Sequence, residues 1–379
     1  MKTNPLKKLN ALGQSIWLDY IKRDLMASGQ LKKLIDEDAL RGMTSNPSIF
    51  EQAIAESQEY DKDIETMSQS GKDVNEIYET LTQKDVQDAA DIFRKMYDEM
   101  AGRDGYVSLE VNPHLAHDTH GTIDEARRLW KAVNRPNVLI KVPATKEGLP
   151  AIKQLISEGI NVNVTLLFGL PRYHEVAEAY IAGLEARAKE GKPIANIASV
   201  ASFFLSRIDA LIDPLLTKTL SEKPDLSKYV KDLLGQVAVA SAKNAYQIYH
   251  DMFTSDRFKK LSEKGAATQR LLWASTSTKN PAYSDVKYIE ALIGPQTVNT
   301  VPIETLDAYR DHGDPEVRLT LDITKIPILF QELIKLGVNI DQLTQQLEDE
   351  GVAKFNKSYD NLIATLKNKL SKTPMKEHQ

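Results

Sequence analysis

Eight short β-rich runs, separated along the chain by segments of helical period, predict an α/β fold: a (β/α)8 TIM-type barrel with additional helices. Most of the runs are near-continuously apolar, as parallel strands covered on both faces are. Each gap between them holds at least one helix-period segment, so strands and helices alternate instead of falling into separate blocks. The 379 residues exceed the ~250 typical of eight β/α units, and the excess falls into three defined places.

In chain order the expected strands are 16–20, 40–44, 106–111, 138–142, 162–167, 197–203, 270–275 and 298–302. The helix over 144–159 ends at a glycine, a frequent C-terminal stop. The one over 172–189 is rich in Ala and Glu and stops before Gly191-Lys192-Pro193. Ser206-Arg207-Ile208-Asp209 reads as a capping-box start, with Ile208, Leu211 and Ile212 at helical spacing behind it. The excess lies in 48–103, expected to hold about two helices, in 206–269, expected to hold at least two, and in 305–379. Within the last segment Val352, Phe355, Tyr359, Leu362, Leu366 and Leu370 form one apolar stripe, which needs a surface to cover. Residues 371–379 read as frayed and solvated. The competing architecture, an open doubly wound sheet, normally carries a Gly-rich turn after its first strand, and none is present. With no repeat, low-complexity tract or Pro/Gly/Ser linker, one domain over 1–379 is expected.

Composition narrows the function. Apolar residues make up 42% and charged ones 27%, a balance typical of water-soluble globular chains. Lys and Arg number 48 against 53 Asp and Glu, for a net charge of −5, which argues against a nucleic-acid binder. Cys is absent, so disulfides, thiolate metal sites and thiol catalysis are excluded. The N-terminus lacks the apolar stretch of about 7–15 residues of a secretory signal. No apolar run approaches the roughly 20 residues that span a bilayer. A cytoplasmic protein without membrane contact is expected.

Catalytic groups of a barrel sit at the C-terminal ends of its strands. The polar residues there are Asp19, Asn46, Glu110, Lys141, Asn163 with Thr165, and Ser202. Lys141 is the most informative, because it lies inside Val138-Leu139-Ile140-Lys141-Val142-Pro143. Desolvation inside a barrel disfavours an ammonium, and a neutral amine attacks carbonyls to give a Schiff base. Alternatively, such a lysine snorkels or pairs with a carboxylate. Asp19 and Glu110 close apolar strands and suit the proton transfers of Schiff-base chemistry; a helix cap or an ion pair to Lys141 is the other reading. Asn46, before Pro47, reads by itself as a turn starter. Arg207 opens a helix shortly after Ser202, an arrangement suited to a phosphate, although Asp209 stands in the same turn and a surface ion pair is the alternative. Lys279, after Ser275-Thr276-Ser277-Thr278, is a second candidate cation, where barrels often bind phosphate.

Other groups carry less. His114, His117, His120 and Asp118 have metal-ligand character, but no one regular element places the histidines on one face. His174-Glu175 lacks a second histidine at position 178, which is Glu. No Walker loop, nucleophile elbow or dinucleotide fingerprint is present. Tyr246 and Tyr249 fit core packing better than a nucleobase platform.

Taken together, the segments resemble the transaldolase family. Met43-Thr44-Ser45-Asn46-Pro47-Ser48-Ile49-Phe50 resembles its second-strand signature, and 138–145 its Schiff-base strand. Asn161-Val162-Asn163-Val164-Thr165-Leu166 resembles the strand that follows, and Trp273-Ala274-Ser275-Thr276 suggests the longer branch of the family. The match runs in order from about residue 5 to about residue 365. The resemblance implies transfer of a dihydroxyacetone unit between sugar phosphates in the pentose phosphate pathway, with no metal or organic cofactor, because an iminium is the electron sink. Sedoheptulose 7-phosphate and glyceraldehyde 3-phosphate would exchange with erythrose 4-phosphate and fructose 6-phosphate. It further implies that Lys141 forms the iminium and that Asp19 moves the proton of the C4 hydroxyl. Glu110 would act through a water held near Thr165. Asn46 and Asn163 would bind the dihydroxyacetone hydroxyls, and Ser202 and Arg207 the phosphate. The chain departs from the pattern at Phe203, where many members have Pro, and at Lys279, where many have Arg; Lys lacks the bidentate fork. A Schiff-base aldolase releasing free dihydroxyacetone, a phosphosugar isomerase and an inactive sugar-phosphate-binding relative are the alternatives. A monomer and a homodimer are equally compatible with the sequence.

Overall fold

The structure, a computed structural model, describes residues 4–371. Its strands are β1 (Gln14–Asp19), β2 (Gly42–Thr44), β3 (Tyr106–Glu110), β4 (Val138–Pro143), β5 (Val162–Leu167), β6 (Ser199–Phe204), β7 (Arg270–Ala274) and β8 (Thr297–Val301). They form one closed barrel in chain order, all neighbours parallel, with β8 returning to pair with β1. Every expected strand is present and the open-sheet alternative is excluded by that closure. β2 is shorter than expected because Leu40 and Arg41 lie outside the ladder. It begins at Gly42, where a Cβ would stand 2.6 Å from the Trp17 ring, so only glycine lets the two strands meet there.

The helices follow the barrel rhythm, with insertions. α1 (Pro5–Ala11), which the sequence reading did not anticipate, precedes β1; α2 (Arg23–Ala27) and α3 (Gln30–Asp38) lead to β2. Three helices, not about two, fill the next gap: α4 (Pro47–Ala55), α5 (Asp61–Gln69) and α6 (Val74–Glu99). The last of these opens on a true capping box between Asp73 and Glu76. α7 (Thr119–Val133), α8 (Gly148–Glu158) and α9 (Leu170–Lys189) each follow one strand. α10 (Ser206–Glu222), α11 (Ser227–Leu233), α12 (Val237–Phe253) and α13 (Asp256–Ser262) separate β6 from β7. α14 (Lys287–Glu290) precedes β8, and α15 (Ile303–His312), α16 (Ile326–Lys335) and α17 (Ile340–Ser371) follow it.

α8 and α9 start away from the expected residues, α9 at Leu170, and α10 starts as expected without the expected cap. α8 begins later than residue 144 because the Thr145 hydroxyl accepts the Gly148 N–H at 3.0 Å and donates to the Ala116 carbonyl, holding a turn; its end is as expected, at Gly159 with φ +91°. α10 begins at Ser206, but Asp209 caps nothing and is no surface residue. Its buried carboxylate accepts the Ala238 N–H at 2.8 Å and the Tyr288 hydroxyl at 2.7 Å, with Lys287 3.1 Å away. Three donors from the following helices outcompete one local N–H, and the side chain ties that insertion to the barrel.

α17 lies across the C-terminal mouth. Its successive turns bring Glu348 to Arg172 (3.2 Å), Gly351 against Leu166 and Phe168, and Ser358 to Ser48 (2.7 Å). Val352, Phe355, Leu362 and Leu366 of the stripe are buried, Tyr359 and Leu370 half-buried. Ser371 closes the helix; the rest of the tail expected to be frayed, 372–379, lies outside the described residues. No helix among the described residues is long and apolar enough to cross a membrane.

Candidate active site

Parallel register sets Glu110 beside Lys141 and Lys141 beside Asn163, so β3, β4 and β5 deliver three polar side chains at one level. Lys141 is 4% exposed. Its Nζ donates to the Ser45 carbonyl at 2.9 Å and stands 3.2 Å from Glu110 Oε2. That last contact is an ion pair out of line for a hydrogen bond, and both Glu110 carboxylate oxygens are buried without a hydrogen-bond partner in the protein. Burial pushes the Glu110 carboxyl above its ordinary value, against the pull of the Lys141 charge. The ion-pair alternative read from the sequence is thus present, and it sets a carboxylate beside the amine.

Asp19 ends β1 on the opposite wall, where β2 sits beside it in register with Thr44. The Thr44 hydroxyl donates to Asp19 Oδ1 at 2.7 Å and is itself 2.7 Å from the Thr300 hydroxyl. Desolvation raises the Asp19 pKa, opposed first by Lys141 and then by the Thr44 bond, Arg207 and Lys279. A carboxyl with a raised pKa facing a buried lysine is poised to exchange protons.

β5 carries an irregularity at the site. Its register with β6 shifts between Val164 and Leu167, and Leu166 has φ +55°, a left-handed conformation that costs a branched side chain energy. The bulge falls next to Thr165, whose fully buried hydroxyl has no protein partner. Asn163 is satisfied at both ends: Nδ2 donates to Ser108 Oγ at 3.0 Å and Oδ1 accepts from Ser202 at 2.7 Å. Asn46 is the N-cap of α4, accepting the Ile49 N–H at 3.1 Å, so its turn-starting role is real. The cap occupies only its carbonyl oxygen.

A cationic wall faces this group. Arg207, in the first turn of α10, lies 5.5 Å from the Phe204 ring centroid and makes no ion pair or hydrogen bond among the described residues. Burial lowers its pKa, with Asp19 and then Glu350 acting in the opposite sense. Lys279 donates only to Ser277 Oγ, at 2.7 Å, and its ammonium is depressed by desolvation and then by Arg207. Ser202 is given to Asn163 and not to Arg207, so a phosphate role for that hydroxyl requires it to turn away from the amide.

The sequence reading missed three neighbours. Ser45 supplies the carbonyl that holds Lys141, Thr44 the hydroxyl that holds Asp19, and Phe355 of α17 places its ring centroid 6.0 Å from Lys141 Nζ. Thr44 and Ser45 were visible in the segment around Asn46; Phe355 was visible only as one apolar residue in a stripe. The three histidines go elsewhere: His114 to Asp360 at 2.8 Å, His117 to Glu147 at 3.2 Å, and His120 to the surface. Tyr246 and Tyr249, both buried, stack at 5.6 Å on the wall of a cavity that Tyr106 and Arg270 also line.

Comparison with known proteins shows which family the chain belongs to. Residues 16–366 match the model of the transaldolase/fructose-6-phosphate aldolase family. A transaldolase of Trichodesmium erythraeum is 52% identical, over 99% of this chain and 100% of the relative. A transaldolase 2 of Nostoc punctiforme is 47% identical over 98% of each chain. A transaldolase of Saccharopolyspora erythraea is 45% identical over 98% of this chain and 99% of its own.

Proposed function

We infer that this chain, which belongs to the transaldolase/fructose-6-phosphate aldolase family, is a transaldolase: it moves a dihydroxyacetone unit from a ketose phosphate to an aldose phosphate through a Schiff base on Lys141. The observation that carries this reading is a lysine 4% exposed, 3.2 Å from one carboxylate and facing a second. Lys141 attacks the ketose C2 carbonyl, Glu110 takes up the proton released, and loss of water leaves the iminium. Asp19 removes the C4 hydroxyl proton as the C3–C4 bond breaks, the electron pair passing to the iminium to give an enamine, and the first aldehyde departs. The enamine then attacks the incoming aldehyde, Asp19 returns the proton, and water frees the product ketose.

Glu110 acts through a water shared with Thr165; the support is that both present buried oxygens without protein partners. Asn163, together with the uncommitted amide group of Asn46, binds the dihydroxyacetone hydroxyls. Arg207 and Lys279 bind the substrate phosphate, with Ser202 turning to join them, since a phosphate accepts hydrogen bonds and offers none. Phe355 beside Lys141 keeps water from protonating the enamine and releasing free dihydroxyacetone. In this reading the substrates are sedoheptulose 7-phosphate with glyceraldehyde 3-phosphate, giving erythrose 4-phosphate and fructose 6-phosphate. The enzyme works in the cytoplasm as one barrel domain, as a monomer or homodimer.

Borohydride reduction with fructose 6-phosphate and no acceptor, followed by peptide mass mapping, tests the reading. A reduced three-carbon adduct on Lys141 is expected. A folded protein with no adduct would overturn the lysine mechanism and bring isomerisation or simple sugar-phosphate binding forward.

A further inference from the structure

α17 passes close to the cationic wall at Gly351, a residue without a side chain. A Cβ on Gly351 would stand 3.0 Å from Leu166 Cδ2 and 3.8 Å from Arg207 Nη1, so the helix backbone passes directly over both the β5 bulge and the guanidinium. Lys354 follows three positions later, on the same helix face, where Cβ atoms are about 5–6 Å apart. Phe355, next in sequence, places its ring centroid 6.0 Å from Lys141 Nζ. Lys354 therefore lies on α17 between a glycine whose backbone passes Arg207 and this phenylalanine.

Its natural partner on the helix would be Glu350, four residues earlier, in the favourable acid-before-base order. No ion pair joins them, and Glu350 instead accepts from Gln346 at 2.7 Å. Lys354 makes no ion pair or hydrogen bond among the described residues. Its ammonium is depressed by Arg207 first, then by desolvation and by Lys279, which places three cations within electrostatic reach of one another. Asp19, Glu304 and Glu350 act on Arg207 and Lys279 only from beyond ion-pair distance, so the like charges, with Lys354 at the exposed rim, repel one another, and a dianion between them relieves that repulsion.

We propose that Lys354 is a substrate-binding residue, the third cation for the phosphomonoester of the donor and acceptor sugars, contributed by the C-terminal helix. The proposal rests on the Schiff-base transaldolase reading above. It makes α17 part of the site rather than only a brace.

Lys354→Gln tests it, alongside Lys354→Arg and the unaltered enzyme. The glutamine variant is expected to raise KM for fructose 6-phosphate and erythrose 4-phosphate about tenfold, as loss of one charge-assisted contact does, with kcat within about twofold. The inhibition constant of inorganic phosphate should rise in parallel, and arginine should restore both. At saturating fructose 6-phosphate the borohydride adduct on Lys141 should form as in the unaltered enzyme. Unchanged KM and phosphate inhibition in Lys354→Gln, with the adduct intact, would overturn the role of Lys354 and leave the transaldolase reading standing. Absence of the adduct from the unaltered enzyme would instead overturn the reading on which the proposal rests.

Discussion

The two walls of the mouth handle charge in opposite ways. On the β1–β5 side each charged group has a counterpart on a neighbouring strand: Lys141 has Glu110 and the Ser45 carbonyl, and Asp19 has Thr44. On the other side Arg207 and Lys279, after β6 and β7, and Lys354 of α17 act on one another electrostatically with no carboxylate in ion-pair contact among the described residues. Strands, whose spacing is fixed by the ladder, hold the groups that in the proposed mechanism move protons. The start of α10, the loop after β7 and the middle of α17 hold the groups that in this reading only need to attract an anion. The difference teaches where precision is required: proton transfer needs hydrogen-bond distances, whereas a dianion is felt across several ångströms.

The sharpest way to break this contrast is to remove the amine. Lys141→Ala should lower kcat by about four orders of magnitude or more with the fold retained, as loss of a covalent nucleophile does, checked by steady-state turnover and circular dichroism. Near-normal rates would end the Schiff-base account. Asp19→Asn is expected to cost about 10²–10⁴ in kcat, the usual range for a positioned acid–base group, while Lys141 is still trapped by borohydride. Because Asp19 must be ionised to accept the C4 proton and burial raises its pKa above 3.8, activity in the unaltered enzyme should fall as pH drops through a value above that figure. A pH–kcat profile with its acid limb at or below the ordinary carboxylate value would contradict the desolvation argument.

The cationic wall predicts a different signature. Arg207→Ala should raise KM for sugar phosphates by roughly 10- to 100-fold and change kcat much less, since it holds a part of the substrate that does not react. A pure kcat effect would move Arg207 to the proton-transfer side and dissolve the comparison. The smallest effect on turnover belongs to the brace behind both walls. Leu362, fully buried on α17, should cost about 2–5 kcal/mol of stability on Leu362→Ala, read by urea denaturation, with kinetics nearly unchanged at low temperature. An unaltered denaturation curve would show that α17 does not pack on the body as described.

The sequence was most legible where a residue violated its own context. A lysine among Val, Leu and Ile on β4, and carboxylates closing β1 and β3, stand out because strands covered on both faces tolerate charge poorly. The glycine stop of α8 was legible for the same reason, a local conformation that few residues adopt. The capping box expected at Ser206 failed because Asp209 had stronger partners from α12 and α14, which no local window contains. α1 was missed because its apolar positions, Leu6 and Leu9, are too few to mark a helix without the barrel they cover.

By itself the sequence determined the order of strands and helices, the apolar faces and the identity of the odd polar residues, because these depend on short-range periodicity and desolvation. Tertiary structure alone decided which of those residues meet. The register of β3 with β4 set Glu110 at Lys141, the β5 bulge fell beside Thr165, and the path of α17 brought Gly351, Lys354 and Phe355 over the mouth. Closure of a barrel and docking of a helix are long-range events, and the distances they fix are written in no single stretch of chain.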